Sequence, residues 1–509
     1  MVPHPNVVLI CADQWRGDCL SIAGHPVVKT PYLDGLARSG ARFTNAYSAA
    51  PSCVPARMAL MTGLSPAHHG RVGYQDGIAF DIETTLPGEF RSAGYQTQAI
   101  GNMHYWPERG RIGFDDVILH DGYLHHSRGR SRPADFYDDY LTWLREQAGE
   151  SAVADYFDDG VHCNSVVARP WGRPERLHPT NWLVGEATRW LYRRDPTVPF
   201  FLYLSFHRPH PPYNPPAWAF EQYLTGPDHT PPVGDWVEEF APFRDDARPD
   251  ANVADYDHET VKRAQAGYYG NMTHIDHQIE RFLEVLGEFG LGESTLVCFT
   301  SDHGEMLGDH LMWRKGYPYE GSARVPLILS GPGVVPGTVV DEIVELRDVM
   351  PTLLSAAGVE VPGGLDGLDV RAAAVDADPR DGAAPAPTTR AYLHGEHTIL
   401  GQSMQWIRSG RWKYVWLSEN GHEQLFDLEA DPDECRDLAA IARDGDSDAA
   451  VALAACRAAL LAELDGREEG YVAGGMLVAG REPRMALSGA GAHPREVPHL
   501  SPTGPAVAP

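Results

Sequence analysis

Short apolar runs that end abruptly at polar residues constrain the fold of this chain more than any other feature. Five such runs predict buried strands at 6–12, 96–100, 199–205, 295–300 and 325–330. Segments with helical periodicity separate them, and the longest spans 258–289. Alternation of buried strands with helices predicts an α/β fold with a large, mainly parallel (mixed) sheet sandwiched by helices.

Polar residues follow three of the predicted strands, at Asp13, His207 and Asp302. Ligands of open α/β sheets bind at the carboxyl ends of the strands, so we expect a site there. Two insertions, 120–180 and 206–255, are rich in Pro, His, Asp and aromatic residues and show few clear elements. Segments of that kind often build the walls of a binding site.

Changes in composition divide the 509 residues into four parts. Residues 1–375 form the large α/β domain, and the small, polar, Pro-rich stretch 376–390 is a surface linker. Strand-like segments followed by a helix predict a smaller C-terminal α+β domain over 391–465. The Gly- and Pro-rich remainder, 466–509, is predicted to be an extended tail. An arm of this type can contact a neighbouring subunit, which leaves a homo-oligomer open.

Charge and hydropathy exclude several kinds of partner. The chain has 42 Lys and Arg against 70 Asp and Glu, a formal net charge of −28 that disfavours nucleic acid. No apolar run approaches the roughly 20 residues of a membrane span, and the N-terminus lacks the features of a signal peptide. Seven scattered cysteines include no CxxC pair. We therefore expect a soluble, cytoplasmic protein without a membrane partner.

The most informative motif is Cys53-Val54-Pro55-Ala56-Arg57, at the start of a predicted helix. Proline suits the first turn of a helix. The helix N-terminus and Arg57 both favour negative charge at the cysteine. A lone cysteine before a helix is usually a core residue, but this one belongs to a longer pattern that ends at Thr62-Gly63.

This pattern, Cys-x-Pro-x-Arg followed by Thr-Gly, resembles the signature of the type I sulfatases. That family includes arylsulfatases and choline-sulfatases, with phosphonate monoester hydrolases as relatives in the alkaline phosphatase superfamily. The resemblance implies an alkaline-phosphatase-like fold. It also implies a partner, the formylglycine-generating enzyme, that converts Cys53 to formylglycine.

Two further segments resemble the metal-binding elements of that family. Asp13-Gln14 follows the first strand, and Ser301-Asp302-His303-Gly304-Glu305 follows a later one. The resemblance implies one divalent metal held by Asp13, Gln14, Cys53, Asp302 and His303. An oxygen-rich site favours Ca²⁺, whereas a coordinating imidazole would favour Mn²⁺ or Zn²⁺.

Proton donors and cations come from two other motifs. Within Phe206-His207-Arg208-Pro209-His210, His210 aligns with the leaving-group histidine of the family. Lys315 aligns with the lysine that contacts substrate oxygens. His207 is a candidate substrate-binding residue, although packing explains it equally well.

One segment departs from the family pattern. Gly101-Asn102-Met103-His104 resembles a Gly-Lys-x-His element in which Asn102 replaces the lysine. The substitution removes a positive charge from the predicted substrate site and leaves a neutral amide donor. Phosphonate hydrolase relatives also lack this lysine, but they change the histidine as well.

The resemblance implies hydrolysis of aryl or small alkyl sulfates by a formylglycine hydrate at position 53 beside the metal. His210 would protonate the leaving oxygen and His104 would act as a base. Arg57, Lys315 and the metal would stabilise charge on the transferred group.

Two alternatives stay open at this stage. Asn102 and His303 also suit a phosphonate monoester or phosphodiester hydrolase with the same nucleophile. A non-catalytic anion-binding protein that kept the fold is the third interpretation.

Overall fold

A computed structural model describes residues 4–124, 137–157, 160, 163–374, 390–443 and 447–488. Its centre is an eight-stranded sheet with the strand order β4-β3-β5-β1-β6-β7-β2-β8. Only β7 runs against the other seven strands. The predicted fold class, a mainly parallel mixed sheet, is confirmed. The strands are β1 (Asn6–Asp13), β2 (Ala41–Tyr47), β3 (Gln96–Gly101), β4 (Asp116–Leu119), β5 (Phe200–Pro209), β6 (Thr295–Ser301), β7 (Arg324–Ser330) and β8 (Thr338–Glu345).

Helices cover both faces of this sheet. Val8 and Ile10 of β1 pack into one hydrophobic cluster, and Val7 and Leu9 pack into the other. Burial on both faces explains why β1 is a continuous apolar run. Among the described residues, no helix combines the length and the apolar character that a bilayer span requires. The helices of this part are α1 (Pro31–Arg38), α2 (Cys53–Thr62), α3 (Pro66–His69), α4 (Leu86–Ser92), α5 (Asp139–Ala148), α6 (Glu150–Phe157), α7 (Pro179–Arg193), α8 (Ala217–Leu224), α9 (His258–Glu288), α10 (Glu320–Ala323) and α11 (Val349–Ala356).

The two insertions contain more regular structure than the sequence pattern indicated. Helices α5, α6 and α8 lie within the segments where few clear elements were expected. Helix α5 buries only Tyr140, Leu141 and Leu144, so its apolar stripe is short. Its start is fixed instead by Asp138, whose side chain accepts a hydrogen bond from the Leu141 N–H.

The C-terminal part contains a four-stranded antiparallel sheet with the order β12-β11-β10-β9. Two helices pack against it, and a short hairpin follows within the tail. The predicted linker 376–390 lies outside the described residues except for residue 390. The boundaries between the parts therefore stay a prediction. The elements are β9 (Leu393–Ile399), β10 (Gln402–Ser409), β11 (Trp412–Leu417), β12 (Glu423–Asp427), α12 (Ala439–Arg443), α13 (Asp448–Leu464), β13 (Val472–Ala473) and β14 (Met476–Leu477).

The parallel strands bring the predicted site residues to one edge of the large sheet. Asp13 ends β1, and Asp302 comes directly after the neighbouring strand β6. Asn102 follows β3, and His210 follows β5 on the other side of β1. The connection after β2 leads to Cys53 at the start of α2.

Candidate active site

Cys53 is the first residue of α2, and its side chain is buried next to the carboxyl ends of β1 and β6. Its Sγ lies 3.2 Å from His303 Nε2 and 3.7 Å from Asp13 Oδ1. Burial and the Asp13 carboxylate raise the pKa of the Cys53 thiol well above its ordinary value. A raised pKa favours the neutral thiol, which is a weaker nucleophile than the thiolate.

Arg57, one turn along the same helix, lies between the two strand-end carboxylates. Its Nε donates to Asp302 Oδ2 at 2.9 Å, and its Nη2 lies 3.2 Å from Asp13 Oδ2. Its Nη1 also donates to the Asn102 carbonyl and the Ser205 hydroxyl. The guanidinium is fully buried, and its contacts with Asp13 and Asp302 hold the two carboxylates in position.

The two carboxylates differ in their electrostatic surroundings. Burial and the neighbouring Asp302 raise the pKa of Asp13 to about 7. Burial also disfavours ionisation of Asp302, but His303 and Arg57 outweigh it and bring its pKa to about 2. Two buried acids this close repel each other when both are charged, and a cation between them would remove that cost.

The donor set fits a divalent metal. Ligand atoms of Asp13, Cys53, Asp302 and His303 all lie within 4.8 Å of one another, and all four residues are buried. His303 Nδ1 is 3.0 Å from the Gly304 carbonyl oxygen, to which it donates. That hydrogen bond fixes the tautomer and leaves the lone pair of Nε2 directed at the cluster, as in many metal-ligating histidines.

The Gln14 side chain links Lys315 and Glu305 beside the cluster. Its Oε1 accepts a hydrogen bond from Lys315 Nζ at 2.7 Å, and its Nε2 donates to Glu305. The two neighbours together fix the orientation of the amide. The amide oxygen of Gln14 therefore faces Lys315. The role of Gln14 as a metal ligand stays a prediction.

Asn102 and His104 lie on the opposite side of Asp13. Asn102 Nδ2 donates to Asp13 Oδ2 at 2.7 Å, and its side chain is fully buried. His104 Nδ1 is 3.8 Å from the same oxygen. The His104 backbone has a left-handed φ of 56°, and its N–H donates to Asp121 Oδ1 at 3.1 Å. Such a conformation persists only where surrounding contacts enforce it.

His207 lies within the buried strand β5 and His210 comes directly after it, and both line the cavity described next. His210 Nδ1 lies 2.8 Å from the Pro211 carbonyl, so its other nitrogen is free to face a ligand. Burial and Lys315 lower the pKa of His210 well below its ordinary value. Neither ring nitrogen of His207 has a hydrogen-bond partner among the described residues.

These side chains meet in a cavity of about 400 Å³. Cys53, His104, His210 and Lys315 lie in its wall, whereas Arg57 and Asn102 do not. The two insertions contribute to its lining, as expected from their composition. The lining residues from the insertions include Asp121, Tyr123, Leu124, Cys163, Asn164 and Asn252, and those that the sequence reasoning did not identify are Tyr74, His397, Thr398, Ile399, Leu400 and Met485.

His397 was not identified from the sequence, and it contacts the residue next to Cys53. It lies on β9 of the C-terminal sheet, and its Nε2 is 2.7 Å from the hydroxyl of Ser52. Ser52 precedes Cys53 at the N-cap position of α2, where its side chain makes no capping hydrogen bond. No motif marks His397, because the partner is 345 residues away in the sequence.

Comparisons with known proteins agree with this geometry. The sulfatase family model matches residues 5–359, and a model described as N-sulphoglucosamine sulphohydrolase, C-terminal, matches 308–449. An arylsulfatase of Clostridium perfringens is 44% identical over 94% of this chain and 98% of its own length. A choline-sulfatase of Rhizobium meliloti is 30% identical over 86% of this chain and 82% of its own.

Comparison with a solved structure supports the same fold. The phosphonate monoester hydrolase of Agrobacterium radiobacter superposes with a TM-score of 0.71 at 28% identity, covering 89% of this chain and 94% of that one. The fold is that of an enzyme of the alkaline phosphatase superfamily. Within it, the chain belongs to the sulfatase family and is a sulfuric ester hydrolase.

Proposed function

We propose that the protein hydrolyses aryl sulfates and small alkyl sulfates with a formylglycine nucleophile made from Cys53. The observation that carries the proposal is the position of Cys53 Sγ, 3.2 Å from His303 Nε2 and in the wall of a cavity that also contains His210 and Lys315. The extensive identity to an arylsulfatase supports an aromatic leaving group.

Position 53 suits the modified residue. Formylglycine would supply a hydrated aldehyde, one of whose hydroxyls is the nucleophile toward sulfur. Helix α2 begins at this residue, so the positive end of its dipole faces the incoming anion. Ser52 and His397 hold the start of the helix in place from the other side.

Asp13, Asp302 and His303 would hold one divalent cation, with Gln14 as a further oxygen donor. The cation would lower the pKa of the nucleophilic hydroxyl and offset the charge of the sulfate. Ca²⁺, Mn²⁺ and Zn²⁺ are the candidates. The inward imidazole nitrogen of His303 favours Mn²⁺ or Zn²⁺ over Ca²⁺, which prefers oxygen ligands.

The chain's own residues would manage charge and protons around the substrate. Lys315 Nζ faces the cavity beside Gln14 and would contact a sulfate oxygen. His210 donates from Nδ1 to the Pro211 carbonyl, which leaves Nε2 to face the leaving oxygen; to act as the general acid, the ring would have to take up a second proton at Nε2 when the substrate anion is bound. His104, whose backbone N–H donates to Asp121 and whose side chain lines the same cavity as Cys53, would accept a proton from residue 53.

Relative rates on two substrates test the proposal. We expect purified wild-type enzyme to give a higher kcat/KM on 4-nitrophenyl sulfate than on a 4-nitrophenyl phenylphosphonate ester. The Cys53→Ala variant should lose turnover of both, while Cys435→Ala, a matched change in the C-terminal part, should not. A higher kcat/KM on the phosphonate ester would instead favour the phosphonate hydrolase alternative.

A further inference from the structure

The described part of the tail crosses back onto the large domain beside the cavity. The Val72 N–H donates to the Met485 carbonyl at 3.2 Å, and the Leu487 N–H donates to the Gly70 carbonyl at 2.8 Å. The Thr398 hydroxyl donates to the Arg484 carbonyl at 2.5 Å. Two backbone hydrogen bonds to the loop after α3 and one from the Thr398 hydroxyl of β9 therefore fix this tail segment.

This anchoring places the Met485 side chain in the wall of the cavity that contains Cys53. A Cβ atom at Gly73 would lie 2.5 Å from Met485 Sδ, so the thioether packs directly on the glycine. Met485 nevertheless keeps 42% of its surface exposed. A large apolar side chain that is held in place but left uncovered has surface available for a ligand.

Apolar neighbours extend this surface. Ile399 and Leu400, at the end of β9, line the same cavity and are half-buried. On the polar side lie Cys53, where the sulfate would react, and Lys315. A substrate with its sulfate at Cys53 would therefore direct its organic group toward the C-terminal wall.

We propose that Met485 is a specificity-determining residue that contacts the aromatic leaving group of the substrate; this inference rests on the proposed sulfatase function. Methionine suits such a contact because its flexible thioether adapts to ring edges and faces. The tail thus forms part of the substrate site and selects apolar, aromatic sulfates over small ones.

Met485→Ala tests this assignment, with Met476→Ala as the matched control. Met476 lies in the β13–β14 hairpin of the same tail, is 68% exposed and is not among the described residues that line the cavity. We expect Met485→Ala to lower kcat/KM for 4-nitrophenyl sulfate about tenfold, mainly through KM, because an apolar pocket contact changes selectivity by about that much. The loss on ethyl sulfate should be smaller, and Met485→Leu should restore most of the aryl preference.

Two other results would overturn the inference. Met485 does not select the leaving group if Met485→Ala has the same kcat/KM as Met476→Ala on both substrates. The same conclusion follows if Met485→Ala lowers kcat/KM by the same factor for both substrates. A wild-type enzyme without activity on either sulfate ester would instead overturn the proposed function, and the leaving-group assignment with it. Thermal unfolding of each variant separates these outcomes from a loss of folded protein.

Discussion

Arg57 donates from Nε to Asp302 Oδ2 at 2.9 Å, and neither side chain is exposed to solvent. The same guanidinium reaches Asp13 Oδ2 at 3.2 Å. It therefore sets the separation of the two carboxylates that would hold the metal. The family resemblance suggested direct stabilisation of the transferred group by Arg57, but its contacts favour a positioning role.

Arg57→Lys should lower both metal content and kcat, because a lysine cannot donate to both carboxylates in the same fork geometry. We expect a loss of about 10–100-fold, the range found when a partner of a metal ligand is removed. Metal analysis and steady-state kinetics measure the two effects. The exposed Arg38→Lys change is the control, and unchanged metal content in Arg57→Lys would contradict the positioning role.

His303→Asn should change which metal the site prefers. It replaces the imidazole nitrogen that faces the cluster with an amide oxygen, and oxygen ligands favour Ca²⁺. After dialysis against equal concentrations of both ions, the bound ratio of Ca²⁺ to Mn²⁺ should rise about tenfold. The same ratio in wild type, His303→Asn and the surface control His258→Asn would show that Nε2 is not a ligand.

Glu396 and Arg467 form a buried ion pair at the base of the tail, with two N···O distances of 2.8 and 2.7 Å. Burial disfavours the charged form of Glu396, but Arg467 outweighs it and lowers the pKa of Glu396. Glu396→Gln should reduce the free energy of unfolding by about 2 kcal/mol at pH 7, because it removes one of the two carboxylates, Glu396 and Glu469, that pair with the buried Arg467.

This stabilisation should depend on pH with a defined sign. A carboxyl whose pKa is lowered by folding contributes fully above its unfolded pKa, about 4.3, and loses that contribution as the pH falls through the folded value. In urea titrations, the difference in free energy of unfolding between wild type and Glu396→Gln should therefore shrink below about pH 4.3. The exposed Glu419→Gln change should leave the free energy of unfolding unchanged at every pH. A wild-type advantage over Glu396→Gln that grows toward low pH would contradict the proposed role of the ion pair.

Much of the architecture could be predicted from the sequence because the central strands are buried on both faces. β1, β5 and β6 contain continuous apolar runs for that reason. β8 was not predicted, because this edge strand leaves several residues partly exposed and carries acidic side chains among the valines.

The site was predictable only where motifs mark it. Asp13, Cys53 and Asp302 stand beside strand ends or helix starts, where local pattern locates them. His397 and Met485 approach the cavity from the C-terminal part through long-range packing, which no local pattern encodes. Likewise, the charge of Arg57 is evident in the sequence, but its burial between two carboxylates is a property of the fold.

The central claim is that the nucleophile is a formylglycine at position 53. Protein produced with graded amounts of the formylglycine-generating enzyme would contain graded fractions of aldehyde, measured by mass spectrometry of the peptide that contains residue 53. Turnover of 4-nitrophenyl sulfate per mole of protein should rise in proportion to that fraction and extrapolate to zero for the pure thiol. Turnover that is independent of the aldehyde fraction would contradict the claim.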